Sequence, residues 1–181
     1  MSVLLHICCG PCTVYPLEIL KQEGFKPHGF FYNPNIHPYQ EFKKRLGAVE
    51  QLASRTNLPV EVHREYGLRD YLRQVVHHED SRCTICYDMR LRKVVAKAKE
   101  LKAEAFTTTL LYSRYQNHDL IRLKAEKLAA QHNIPFLYYD FRQGWQQGID
   151  MSKEMGLYRQ SYCGCIYSEH ERYDKRFRRK K

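Results

Sequence analysis

The sequence predicts an α/β fold: a mostly parallel sheet of about five strands, covered by helices on both faces in three layers. Three observations predict it. Short apolar runs of strand character alternate with segments of helical periodicity, and strands separated by helices imply βαβ units with right-handed crossovers. The chain has 181 residues, about one domain's worth, and carries no linker, repeat or low-complexity block. Apolar residues make up 43% and charged residues 28%, a globular balance that excludes a wholly disordered chain.

The elements follow in order. VLLHI at 3–7 reads as the first strand, and Val14 to Gln22 as a helix that stops before Gly24. HGFFY at 28–32 is the second strand. Phe42, Leu46, Val49 and Leu52 then recur at helical spacing over 41–55. VEVH at 60–63 is a third, short strand, and LRDYLRQVVHH at 68–78 a further helix. The clearest helix spans 87–101, where Leu91, Val94, Val95, Ala98 and Leu101 form one apolar stripe opposite Arg and Lys. AFTTTLL at 105–111 is strand-like, its β-branched threonines supporting the assignment. Asp119 to Gln131 is helical with Leu120, Ile121, Ala125 and Leu128 inward, and FLYY at 136–139 is the fifth strand. Beyond Phe141 the pattern is less regular. A parallel sheet of this kind places its site at the carboxyl ends of the strands.

Charge points to a polyanionic partner. Lys and Arg total 30 against 20 acidic residues, a net +10. Residues 171–181 hold seven basic and two acidic residues, +5, so the expected organisation is one domain at 1–170 followed by a basic tail at 171–181. That tail reads either as a solvated end or as an arm on a phosphate backbone, with Tyr173 and Phe177 available to stack. No stretch approaches the roughly 20 apolar residues needed to cross a bilayer. The N-terminus MSVLLHICCGPC lacks the basic region of a signal peptide. The expectation is a cytoplasmic protein with no membrane partner.

Seven cysteines fall into three groups: Cys8, Cys9 and Cys12 in HICCGPC, Cys83 and Cys86 in RCTIC, and Cys163 and Cys165 in YCGC. Each sits at an element boundary rather than inside an apolar stripe. In a reducing compartment such clusters mean metal binding or redox chemistry. Helix N-termini favour the thiolate that soft metals require. Three readings compete. Zinc held by Cys8 or Cys9 with Cys83 and Cys86 is one. An iron–sulfur cluster is favoured, because it accepts varied spacings, adjacent cysteines included. The third is a thioredoxin-like thiol–disulfide oxidoreductase, since Cys9-Gly10-Pro11-Cys12 follows a strand and opens a helix; the position before it, however, is Cys8 rather than Trp. The close pair Cys163 and Cys165 suits a reducible disulfide that relays electrons, or else supplies further metal ligands.

HICCGPC at 6–12, RCTICYDMRL at 82–91, FTTTLLYSRYQN at 106–117, DFRQG at 140–144 and YRQSYCGCIYS at 158–168 together resemble the cobalamin-independent epoxyqueuosine reductases, the QueH family. The blocks span nearly the whole chain in matching order. The resemblance implies a Rossmann-like, HUP-type fold. It also implies conversion of epoxyqueuosine to queuosine in the anticodon loop of tRNA, with a 4Fe-4S cluster and an additional mononuclear iron. Carried over, Cys8, Cys9, Cys83 and Cys86 would ligate the cluster, Cys163 and Cys165 would form a redox-active pair, and Cys12 would be a further metal-site cysteine. An electron donor is the further partner the activity implies.

Deoxygenating an epoxide to an alkene consumes two electrons and two protons and releases water, so a cofactor must carry the electrons. Asp140 is the candidate proton donor, with Tyr112, His6 and Tyr162 also near strand ends or cysteines. His6 reads more readily as a core residue, and the two tyrosines as packing or stacking residues. Arg90, Arg92, Lys93, Arg114, Arg142 and Arg159 are candidate phosphate contacts. An ATP-dependent tRNA thiolation enzyme of the same fold is the rival of another class. Its Gly/Ser-rich pyrophosphate loop is replaced here by CCGPC.

Overall fold

A computed structural model describes residues 1–177 of the chain. The apolar run at the N-terminus forms β1 (Ser2–Ile7), buried from Val3 onward. It is followed by α1 (Gly10–Gln22), β2 (Lys26–Phe31), α2 (Tyr39–Thr56), β3 (Val60–Val62), α3 (Leu68–Val75), α4 (Arg82–Glu100), β4 (Ala105–Thr108), α5 (His118–His132), α6 (Trp145–Glu154) and α7 (Ile166–Tyr173). The strands pair in parallel in the order β3-β2-β1-β4. Helix α1 packs against α2 and α6, helix α4 against α3 and α5, and the sheet lies between these two layers. Its core is apolar, with Leu4, Leu5, Phe31, Leu91, Val95 and Phe106 each fully buried. Among the described residues no helix is long and apolar enough to cross a membrane.

The α/β expectation holds, with four strands rather than five. The run at 136–139 makes only an isolated bridge from Phe136 to Phe106, closed by the Phe106 N–H donating to Pro135 O and the Leu137 N–H to Phe106 O. Its partner β4 ends at Thr108, two residues beyond the bridge. Thr108 turns β4 off with its side-chain oxygen, which accepts from the Leu110 N–H at 3.1 Å and starts a 3-10 turn over Thr109–Tyr112. The same cap shortens the strand expected at 105–111.

Two helix starts also moved. Helix α1 begins four residues early because Cys9 acts as its N-cap, with Sγ accepting from the Cys12 N–H at 3.4 Å. Helix α4 begins at Arg82, running on from a 3-10 turn at Glu79–Ser81. Cys83 and Cys86 therefore lie inside its first turns instead of preceding it. The irregular late region contains α6, whose buried residues are only Gly148 and Ser152, so it shows no apolar stripe. Helix α7 carries helical structure to Tyr173, past the expected boundary at 170; residues 178–181 of the basic tail lie outside the described residues.

Candidate functional site

Strand β1 has β2 on one side and β4 on the other, so the direction of winding reverses at β1. The crevice beyond the carboxyl ends of β1 and β4 is thus the topological switch point, the usual ligand position in such sheets. The register pairs His6 with Thr108, which brings Cys8 beside Thr109. The Cys8 N–H donates to Thr109 Oγ1 at 3.0 Å, and the Thr109 hydroxyl donates to Cys8 Sγ at 3.2 Å. Cys9 caps α1 and Cys12 follows one turn later, so the three sulfurs of Cys8, Cys9 and Cys12 lie within 4.8 Å of one another. Gln160, more than 140 residues away, donates from Nε2 to Cys9 Sγ at 2.9 Å and to Cys12 Sγ at 3.6 Å.

Hydrogen bonds from Cys12 and Cys9 hold the Cys8 thiol well below its usual range, despite burial. Burial pushes Cys9 up, and its hydrogen bonds to Cys8 and Cys9 push Cys12 up. The trio therefore shares its protons unequally, with anionic character on Cys8. Cys9 is 0% and Cys12 9% exposed. A thioredoxin-like attacking thiol needs partial exposure, so the CGPC match does not mark that activity here.

The second assembly joins the remaining cysteines. Cys86 and Cys165 are buried in one apolar cluster with Tyr71 and Val75. Cys83 and Cys163 are exposed at its edge. Burial raises Cys83, and pushes Cys86 up to about 12. All seven cysteines are free thiols. Cys165 caps α7, its Sγ accepting from the Ser168 N–H at 3.4 Å. Cys163 Sγ accepts from Gln116 Nε2 at 3.2 Å, which ties it to the loop after β4. The CGC turn is held from behind: Arg45, 2% exposed, donates from Nη1 to Cys163 O at 2.7 Å, from Nη2 to Tyr162 O at 3.0 Å and from Nε to Glu41 at 2.7 Å. Gly164 between the cysteines has φ +156°, and a Cβ there would sit 3.1 Å from Asn35 Nδ2 and 3.3 Å from Arg45 Nη1. Glycine is what lets the turn seat against Asn35 and Arg45.

Arg90 joins the two assemblies. It is 2% exposed, and the sulfurs that bear on its guanidinium are Cys86 first, then Cys163 and Cys8. Its Nε donates to Cys86 O at 3.2 Å, while its Nη2 is buried without a hydrogen-bond partner. A buried, incompletely paired cation among thiols is costly unless an anion completes it. Thiolate donors, a helix N-terminus and this guanidinium fit a soft metal group of net negative charge. The structure thus brings Cys8, Cys9 and Cys12 into one tight trio. It does not place Cys83 or Cys86 in that trio, but sets them across Arg90 with the CGC pair.

The other sequence candidates are placed as follows. Asp140 caps a 3-10 turn and pairs with Arg142, whose Nε donates to it at 2.8 Å. That hydrogen bonding holds its carboxyl below the usual range, so at neutral pH it is an acceptor. His6 is fully buried between Thr108 and Tyr32 O, and burial lowers it to about 4; it is a neutral core residue. Tyr112 donates to Trp145 O and Tyr162 to His37 O. Arg92 pairs with Asp88, and Lys93 lies over the Tyr32 ring. Arg114 and Arg159 are exposed and Arg142 half-buried. Thr109, Gln116, Gln160, Arg45 and Tyr71 escaped sequence reasoning; only the recurrence of Gln and Thr within the quoted blocks hinted at the first three.

Residues 3–171 match the protein-family model described as epoxyqueuosine reductase QueH. A protein named epoxyqueuosine reductase QueH from Dehalococcoides mccartyi is 38% identical over 174 residues, 96% of each chain. One of the same name from Thermotoga maritima is 34% identical, covering 96% of this chain and 93% of its own. Among solved structures, a protein titled predicted subunit of tRNA methyltransferase from Methanocaldococcus jannaschii superposes with a TM-score of 0.59 at 16% identity, over 85% of this chain and 75% of that one; this likeness is one of fold. With a family match across nearly its full length and relatives above 30% identity, the chain belongs to the epoxyqueuosine reductase QueH family.

Proposed function

We propose that this chain reduces epoxyqueuosine to queuosine in tRNA, in the cytoplasm, by two-electron deoxygenation of the epoxide. The observation that carries the reading is the family match over residues 3–171, in a chain whose Cys8, Cys9 and Cys12 sulfurs lie within 4.8 Å of one another at the carboxyl edge of the sheet. Cys8, Cys9, Cys83 and Cys86 would hold a 4Fe-4S cluster, and Cys12 would be a further metal-site thiol beside an additional iron. When bound, these metals would supply single electrons and a Lewis acid for the epoxide oxygen.

The chain's own side chains do the rest. Arg90 balances the anionic sulfurs. Gln160 and Thr109 fix the Cys9, Cys12 and Cys8 sulfurs by hydrogen bonds. Burial of Cys9, Cys12 and Cys86 keeps water from the sulfurs. Cys163 and Cys165 would act as the relay: oxidation of the dithiol to a disulfide releases two electrons and two protons, the amount one epoxide consumes. An external electron donor would then reduce the disulfide through exposed Cys163. The net +10 charge suits RNA phosphates.

Anaerobic reconstitution with iron and sulfide, followed by assay on epoxyqueuosine-containing tRNA, tests the reading. The expected result is a brown protein with broad visible absorption that converts the nucleoside. Full iron and sulfide in a Cys83→Ala, Cys86→Ala double variant would overturn the ligand set. A metal-loaded protein that leaves epoxyqueuosine unchanged would overturn the reaction.

A further inference from the structure

A column of aromatic rings runs from the cysteine trio to the surface. At its inner end is Tyr15, three residues after Cys12 on α1. Tyr15 and Tyr112 have ring centroids 6.3 Å apart. Trp145 stacks on Tyr112 at 5.1 Å and 29°, held there by the Tyr112 hydroxyl donating to Trp145 O at 2.8 Å. Tyr115 meets Trp145 edge-on at 5.7 Å and 76°, and the Arg114 guanidinium lies 5.7 Å from the Trp145 ring centre.

The column is built by close approach. A Cβ on Gly144 would stand 2.0 Å from the Tyr15 ring, and one on Gly148 2.4 Å from the Tyr112 hydroxyl. Only glycine at both places lets α6 press Trp145 against the column. Its outer end is Tyr115, 72% exposed, beside exposed Arg114. The same short loop, between β4 and α5, donates from Gln116 to Cys163. One segment therefore touches both the surface rings and the CGC pair.

We propose that Tyr115, Trp145 and Arg114 form a stacking platform for an unpaired nucleobase of the RNA substrate, at the mouth of the cysteine crevice. The proposal rests on the tRNA reading above for its partner. Aromatic faces backed by a guanidinium accept any base, and single-stranded loops are bound in this way. Arg114 and the net +10 charge of the chain complement the phosphates on either side of such a base.

Trp145 is the chain's single tryptophan, so its fluorescence reports the platform directly. An unmodified RNA hairpin with the anticodon-loop sequence is titrated against a fully paired RNA of equal length. The loop RNA is expected to quench Trp145 and the duplex is not. Tyr115→Ala is expected to weaken loop binding about 5- to 100-fold with no change in salt slope. Arg114→Ala is expected to lower that slope by about 0.7–0.9. Circular dichroism and iron content should match wild type in both. Equal quenching by duplex, wild-type affinity in Tyr115→Ala, or no binding of loop RNA would each overturn the platform; in the last case the rings would be a docking face for a protein. Because the RNA carries no epoxide, the two claims separate. Quenching and Tyr115 dependence in a protein that fails to reduce epoxyqueuosine would leave the platform standing and the reductase reading refuted.

Discussion

Replacing Arg90 with Met probes the proposed centre without removing a ligand. In the metal-free protein opposing effects nearly cancel. The substitution removes the Nε–H bond to Cys86 O, a charge-assisted bond worth about 1.5–3 kcal/mol. It also removes the guanidinium from the Tyr87 ring, 5.8 Å away, worth about 0.5–2 kcal/mol. Against these losses, the buried Nη2 without a partner costs about 1–3 kcal/mol, and an apolar side chain of similar volume avoids desolvating a charge. The net change is about 2 kcal/mol or less, a Tm shift of under about 8 °C. In the metal-loaded protein the cation has an anionic partner, and loss of a contact of this kind lowers metal affinity by about 10- to 100-fold. Iron retention under challenge by a chelator, measured beside thermal unfolding of the metal-free form, reads both. Arg90→Lys, which keeps the charge, should recover part of the retention. Wild-type retention in Arg90→Met, or a metal-free Tm lowered by more than about 15 °C, would refute the reasoning and leave Arg90 a structural residue.

Cys163→Ser should keep the iron but stop after a single turnover, checked by iron analysis and product per enzyme; loss of half the iron would make the pair ligands instead. Arg45→Met leaves buried Glu41 with Tyr158 as its one remaining partner among those described and frees the Tyr162 and Cys163 carbonyls, so it should destabilise by about 3–5 kcal/mol and speed alkylation of Cys165; an unchanged alkylation rate would contradict that role. His6 has a folded pKa of about 4 against 6.5, so its contribution is fully present above about pH 6.5 and is lost as pH falls towards 4. Urea unfolding should show about 2 kcal/mol of that loss by pH 5, and His6→Asn should flatten this limb. Deleting 178–181, four basic residues, should lower the salt slope of RNA binding by as much as about 3 without changing the iron content; an unchanged slope would confine recognition to the residues before them.

The α/β class, four of the strands and the course of the main helices were legible in the sequence, because those signals are local. β1 and β2 are apolar runs, and α4 carries a stripe at helical spacing. The sequence also singled out the cysteines, since residue type and tight spacing are enough to mark soft-metal or redox chemistry. Helix α6 stayed hidden because its buried face is Gly148 and Ser152, which leave no periodic trace. Whether 136–139 becomes a strand depended on its neighbour, and Thr108 had already turned that neighbour away. Arg90 illustrates the larger limit. In sequence it stands with Arg92 and Lys93 as one of several charges beside a cysteine pair. Arg92 is exposed and paired with Asp88, whereas Arg90, on the buried face of α4, lies among the thiols. Gln160 reaches Cys9 across more than 140 residues, and Arg45 holds Cys163 across more than 110. Such contacts are set by the packing of distant elements at the carboxyl edge of the sheet. No local pattern encodes them, so only the tertiary structure decided which polar residues serve the cysteines.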